Sequence, residues 1–185
     1  SVVYTGATPV LVDIKSDTTY NIDPVLLRDY IEKNYSLEND GTLRNKKNGK
    51  KLRVLIVVNE FGLCAEMNAI LEIADEYKLI ILEDSACALG ANINGVYEGE
   101  FGIASCLSFH PRKSITTGEG GMVLTKNKEI DEKIRRLRSH SASISEVQRH
   151  HSGGYLLPDF DELGFNYRMT DIQASVGIAQ IKKID

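Results

Sequence analysis

The sequence contains no tryptophan, only four prolines and three cysteines, and no excess of positive charge. Lys plus Arg number 22 against 26 Asp plus Glu, so the net charge is −4 and no basic face is implied for nucleic acid or an anionic membrane. A small-molecule partner is favoured by elimination. Cys64, Cys87 and Cys106 are odd in number and widely spaced, with no C-x-x-C pair and no histidine spacing suited to zinc. Reduced thiols are therefore expected, with no metal ligands. Long apolar runs are missing too: residues 54–58 and 79–82 are far too short to span a bilayer, and the N-terminus has no signal pattern. These absences predict a soluble, cytoplasmic protein.

What is present is the balance of an ordinary globular domain, with 185 residues, 42% hydrophobic and 26% charged, enough to bury one sizeable core. The chain opens without methionine and closes on Q-I-K-K-I-D inside a helical pattern, which predicts trimmed ends or a piece of a longer protein. The order of patterns is α/β. Residues 10–14 (V-L-V-D-I) are a short β-branched run. Asp23-Pro24 then supplies an N-cap and a first-turn proline for a helix carrying Leu26, Leu27, Tyr30, Ile31 and Tyr35 at helical spacing. Residues 36–51 are polar and aperiodic, which predicts a surface loop inserted into the domain. A continuous apolar strand over 52–58 follows, then a helix over 65–77 with Met67, Ile70, Leu71 and Ala74 on one face, then a strand over 79–82. That succession suits a parallel sheet covered on both faces, with a right-handed crossover.

Asn94-Gly95 and Glu98-Gly99 mark a turn region before strands predicted over 103–109 and 121–125. A charged helix over 129–137 turns Ile130, Ile134 and Leu137 inward. Residues 139–165 read as a loop or flap, and a helix over 169–183 offers Ile172, Val176, Ala179 and Ile181 for packing.

The chemistry concentrates at 108–121, S-F-H-P-R-K-S-I-T-T-G-E-G-G, where Lys113 stands among hydroxyl residues and glycines. A phosphate loop needs G-x-x-x-x-G-K-[ST] leading into a helix; here the lysine precedes the glycines and the following segment is strand-like. Two readings stay open: an amine that forms an imine with a carbonyl compound, and a solvated lysine beside a glycine turn. Asp84 follows the strand over 79–82 and lies where open α/β sheets bind ligands, although an aspartate there is also a good helix N-cap. Amine and carboxylate on neighbouring strand ends together fit pyridoxal phosphate, whose aldehyde takes the lysine and whose ring nitrogen a carboxylate keeps protonated.

Several ordered strings carry a family resemblance: E-D-S-A-C-A-L-G-A, S-F-H-P-R-K-S-I-T-T-G-E-G-G-M-V-L-T, G-F-N-Y-R-M-T-D-I-Q-A and G-I-A-Q, with T-G-A-T-P-V-L-V-D-I and Y-N-I-D-P upstream. They resemble the sugar aminotransferases of the DegT/DnrJ/EryC1/StrS family, which are fold-type I pyridoxal-phosphate enzymes. The resemblance implies an aspartate-aminotransferase-like large domain over 1–185, a mostly parallel mixed sheet flanked by helices. It also implies that an N-terminal part, with a phosphate-binding glycine-threonine loop, and a small C-terminal domain are lacking from this stretch.

For the site, the resemblance implies that Lys113 holds pyridoxal phosphate as an internal aldimine and carries the proton in catalysis. Asp84 would pair with the pyridine nitrogen, Ser108 would bind the cofactor phosphate, and Asn166 would reach the phosphate of a neighbouring subunit's cofactor in a homodimer with shared active sites. Cys87 departs from the family's Gln or His near the cofactor's phenolic oxygen, and a thiol is a shorter, weaker donor. His110, Glu119, His140 and Arg168 are further candidates for contact with substrate or partner chain, with solvated loop roles as the alternative. His150 and His151 fall in the same flap. The implied activity is transfer of an amino group from an amino acid such as glutamate to a keto sugar, one carried on a nucleotide. The alternatives are the family's sugar dehydratases, which have histidine where Lys113 stands, and a remnant that binds cofactor without catalysis.

Overall fold

In the computed structural model, which describes residues 1–144, 146–153 and 156–184, Asp23 starts the first helix. Its carboxylate accepts hydrogen bonds from the N–H groups of Val25 and Leu26 and Pro24 takes the first turn, so α1 runs Pro24–Asn34. Residues 10–14 form no strand; Ile14 makes a single antiparallel bridge with Ile22.

The segment expected as a loop over 36–51 is instead a small antiparallel sheet of β1 (Tyr35–Leu37), β2 (Leu43–Asn45) and β3 (Lys51–Leu52). Asp40-Gly41 and Asn48-Gly49 make its two turns, each glycine at positive φ and each preceded by an Asx hydrogen bond, from Thr42 N to Asp40 and from Lys47 N to Asn45. Leu43 anchors the sheet by burying its side chain with Leu27, Ile31 and Tyr35 in the main core.

Arg53 interrupts the apolar run, and β4 is Val54–Val58. Helix α2 (Met67–Tyr77) leads from it to β5 (Ile80–Asp84), which pairs with β4 in parallel, Val54 opposite Ile80 and Val58 opposite Asp84. A two-residue hairpin follows, β6 (Asn92–Ile93) and β7 (Val96–Tyr97), with Asn94 and Gly95 both at positive φ as a type I′ turn requires. β8 (Ala104–Ser108) adds to β5 in parallel, and β9 (Gly121–Leu124) completes a sheet of order β4-β5-β8-β9.

The core lies on one face of this sheet. Val57 and Ile81 are buried there with Leu27 and Ile31 of α1 and Met67, Ile70, Ile73 and Ala74 of α2, each such side chain contributing about 1.5–3 kcal/mol. Val54, Ile56, Val58 and Ile80, on the opposite face, are exposed, so among the described residues β4 is not covered on both sides as its composition suggests. No helix among the described residues is long and apolar enough to cross a membrane.

The chain forms two compact units, residues 1–108 with 122–124, and 109–121 with the described part of 125–185. In the second, Asn127 caps α3 (Lys128–Leu137), on which Ile130, Ile134 and Leu137 are half-buried as their spacing predicts. The expected flap contains a short helix, α4 (Glu146–His151), carrying His150 and His151. Thr170 and Gln173 form a reciprocal capping box at the start of α5 (Asp171–Ile181). Ile172, Val176 and Ile181, expected to pack, are exposed there.

Candidate active site

Asp84 is the last residue of β5, at the carboxyl end of a parallel strand and between two neighbours, Val58 on β4 and Cys106 on β8. Strand parity then decides which side chains share its face. Asp84 and Cys106 are in register, so Ser108, two residues further along β8, points to the same side as both, the side away from the α1–α2 core. Glu83 and Ser105 point to the core side. Asp84 does not cap a helix. One carboxylate oxygen closes a tight turn by accepting the N–H of Ala86 at 3.1 Å, and the other accepts no hydrogen bond among the described residues. Cys87 lies in the turn that follows, with its thiol exposed. Burial, and after it the negative charge of Asp84, pushes the Cys106 thiol above its ordinary pKa and keeps it protonated.

The lysine loop is built within the second unit. Phe109 N donates to Gly120 O at 2.9 Å and Phe109 O accepts from Thr117 N at 3.1 Å and Thr116 Oγ1 at 3.0 Å, so the loop is closed at its base. Ile115 and Thr117 point inward and are buried. Lys113, half-buried, sits in a turn in which its own N–H donates to His110 O at 2.9 Å. His110 Nδ1 accepts from Arg112 N at 3.3 Å, and its Nε2 lies 3.9 Å from a carboxylate oxygen of Glu119. These two candidates are therefore neighbours. Helix α5 braces the loop: Gln173 Nε2 donates to Glu119 O at 2.9 Å, and a Cβ on Gly177 would stand 3.0 Å from the Thr117 methyl.

Residues 164–168 run antiparallel to 137–140. Phe165 N donates to Leu137 O, His140 N to Phe165 O and Tyr167 N to Arg138 O, each at 2.8–2.9 Å, and Asn166 bridges with Ser139. Arg168 donates to Ser139 Oγ at 3.0 Å. His140, held at positive φ, and Arg168 line one cleft of about 240 Å³ together with Arg149 and Phe160. Arg149 carried no sequence signal beyond its position in the flap. The predicted residues thus fall into three groups: Asp84, Cys87 and Ser108 at the strand ends, Lys113, His110 and Glu119 on the loop, and His140, Asn166 and Arg168 around the 164–168 segment. Cys106 was missed, although its parity with Ser108 on one strand is visible in the sequence.

Over residues 1–185 the sequence matches the model of the DegT/DnrJ/EryC1/StrS aminotransferase family. The chain belongs to that family. An uncharacterized protein of Methanocaldococcus jannaschii is 43% identical over 184 residues, 100% of this chain and 43% of its own length. A GDP-perosamine synthase of Caulobacter vibrioides is 37% identical over 185 residues, covering 100% of this chain and 42% of that enzyme. Among solved structures, PseC of Helicobacter pylori, an aminotransferase involved in the biosynthesis of pseudoaminic acid, superposes with a TM-score of 0.78 at 28% identity, over 98% of this chain and 42% of that one. The chain therefore spans less than half the length of the relatives it matches.

Pyridoxal phosphate is the cofactor of the DegT/DnrJ/EryC1/StrS family, and the strand-end residues of this member fit it. A carboxylate with one oxygen left over, on the same sheet face as a serine hydroxyl, offers an acceptor for a protonated ring nitrogen and a donor for a phosphate.

A second acid nearby titrates unusually. Glu98 is buried; one oxygen accepts from Gly90 N at 3.0 Å and the other has no hydrogen-bond partner among the described residues. Burial raises its pKa above the ordinary carboxyl range, so the folded state holds a proton that the unfolded state has released. Stability from this group is complete below the unfolded pKa and is lost as pH rises through the folded value. Replacing Glu98 with Gln should flatten that slope. In the full-length protein, the thermal midpoint of Glu98→Gln relative to wild type should be higher at pH 8 than at a pH below the ordinary glutamate value, and equal offsets at the two pH values would contradict this.

Proposed function

We propose that the full-length protein is a pyridoxal-phosphate-dependent aminotransferase that moves an amino group from an amino acid, glutamate, to a keto sugar carried on a nucleotide. The observation that carries this reading is the Asp84 carboxylate, one oxygen of which accepts no hydrogen bond among the described residues, at a parallel strand's carboxyl end and on the same sheet face as Ser108. A relative named for GDP-perosamine synthesis, 37% identical across the whole chain, supports a nucleotide-linked sugar as acceptor.

In this reading each residue has a task. Lys113 would hold the cofactor's aldehyde through Nζ, and its amine would be the group that takes and returns the substrate proton. Asp84 would keep the ring nitrogen protonated, and the cofactor would supply an electron sink when bound there. Ser108 would hold the phosphate, and Cys87 would be the residue offered to the phenolic oxygen. Asn166 reaches the phosphate of a second subunit's cofactor, which makes the working enzyme a homodimer. His140 and Arg168 would offer hydrogen-bond donors to the anionic parts of the substrate, and His110 and Glu119 lie on the same loop as the lysine.

The test is direct. Pyridoxal phosphate added to the full-length protein should give a visible imine absorption band, and borohydride reduction followed by peptide mapping should place the label on Lys113. A label on another residue, or no band, overturns the proposal.

A further inference from the structure

Glu83, the residue before Asp84, is fully buried on the core side of β5, and among the described residues no lysine or arginine pairs with it. An ionised carboxylate in such a place is costly unless donors replace the lost water. Four do. One oxygen accepts from Phe101 N at 3.0 Å and Gly102 N at 2.7 Å; the other accepts from Gly99 N at 2.9 Å and Asn59 Nδ2 at 3.3 Å. The backbone of 99–102 is therefore wrapped around this carboxylate. Gly102 permits the approach, because a Cβ there would stand 2.8 Å from Ile81 O.

The network continues to both neighbours of Asp84. Asn59 Nδ2 also reaches Ser85 Oγ at 3.2 Å, and Ser105 Oγ donates to the same oxygen at 2.9 Å. Asn59 N donates to Asp84 O at 2.9 Å, Ser85 N donates to Cys106 O at 2.9 Å, and Asn59 Oδ1 accepts from Ala65 N at 3.0 Å. Asn59, Glu83, Ser85 and Ser105 are all 0–1% exposed. The residues on either side of Asp84, and its own carbonyl, are thus fixed by one dry network joining β4, β5 and β8. Asp84's carboxylate is left on the opposite face, tethered among the described residues to Ala86 N.

We propose that Glu83 is a positioning residue for Asp84: through the Asn59–Ser85–Ser105 network it sets the direction of the Asp84 carboxylate toward the cofactor ring nitrogen. This rests on the role given to Asp84 above. A carboxylate is the side chain the place requires, since it offers acceptor sites to all four donors at once, whereas an amide must turn an NH2 group against two of them. Loss of the carboxylate lets residues 83–85 shift, and preorganised charge loses effect when it moves by a fraction of an ångström.

A double-mutant cycle in the full-length protein tests this. Glu83→Gln should lower kcat by roughly 10- to 100-fold with little change in KM. It should also shift the pH titration of the lysine-bound cofactor's absorption band while leaving Lys113 labelled by borohydride. Combined with Asp84→Asn it should cost no more than about 3-fold beyond Asp84→Asn alone, because a residue that acts through another loses its effect when the other is gone. Ser85→Ala, which leaves the four donors to Glu83 in place, should show the same non-additivity with a loss of about 3- to 10-fold, and it decides the matter if Glu83→Gln does not fold. Fully additive losses, or an unshifted titration, overturn the positioning role. A wild-type protein that shows no label on Lys113 would overturn the role of Asp84 as well, so the two failures are distinct.

Discussion

Lys113→Ala in the full-length protein should bind no cofactor covalently and should transaminate at least about 10⁴-fold more slowly than wild type. Under the proposed function two tasks are lost together, the amine that would hold the aldehyde carbon and the base that would move the substrate proton. General acid–base catalysis alone is worth about 10²- to 10⁴-fold. The fold should survive, because the loop is closed by Phe109, Thr116, Thr117 and Gly120 and braced by Gln173 of α5, none of which depends on the lysine amine. The variant should still unfold in one cooperative thermal transition, which separates loss of chemistry from loss of fold. A small primary amine in the buffer should restore part of the proton transfer. An active, unrescued Lys113→Ala variant would remove the mechanism.

Gly164→Ala should have the largest effect on stability. A Cβ on Gly164 would lie 2.2 Å from Ser141 N, 2.5 Å from His140 C and 2.9 Å from Leu137 O. All three are backbone atoms, so no side chain can swing away to make room. They also belong to the segment that pairs with 164–168, and the added methyl would separate Phe165 N from Leu137 O and His140 N from Phe165 O. Overpacking of a well-filled site costs roughly 1–3 kcal/mol, and the three backbone clashes place this one at the upper end of that range or above it. A urea titration of the full-length variant should show a midpoint lowered accordingly, with the slope unchanged. Because Asn166, Arg168 and His140 stand on this pairing, kcat/KM should fall as well. A wild-type midpoint would mean that 137–141 and 164–168 are not packed this closely in the protein.

Much of the architecture could be read from local chemistry. Asp23-Pro24 placed α1, Asn94-Gly95 marked a turn whose flanking strands β6 and β7 only the structure shows, and the apolar runs placed β4 and β5. Residues 36–51 were misread because polarity without period outweighed Asp40-Gly41 and Asn48-Gly49, which are ordinary hairpin signals at the two turns of the β1–β3 sheet. The composition of β4 suggested burial on both faces, yet Val54, Ile56 and Val58 are exposed. Composition reports what a face can tolerate, and only the position of the helices shows which face is covered.

At the candidate site, the residue types and their order in the sequence sufficed to mark Asp84, Ser108 and Lys113 and to point to the family. The sequence could not decide the pairing of Asp84 with Cys106, the turn that the Asp84 carboxylate closes on Ala86 N, or the four donors around Glu83. Those follow from strand register and from the return of residues 99–102 onto β5, contacts between groups 16 to 24 positions apart. Chain chemistry fixes which groups are available over a few residues. Which of them meet, and on which side of the sheet, depends on the packing of segments that only the folded chain brings together.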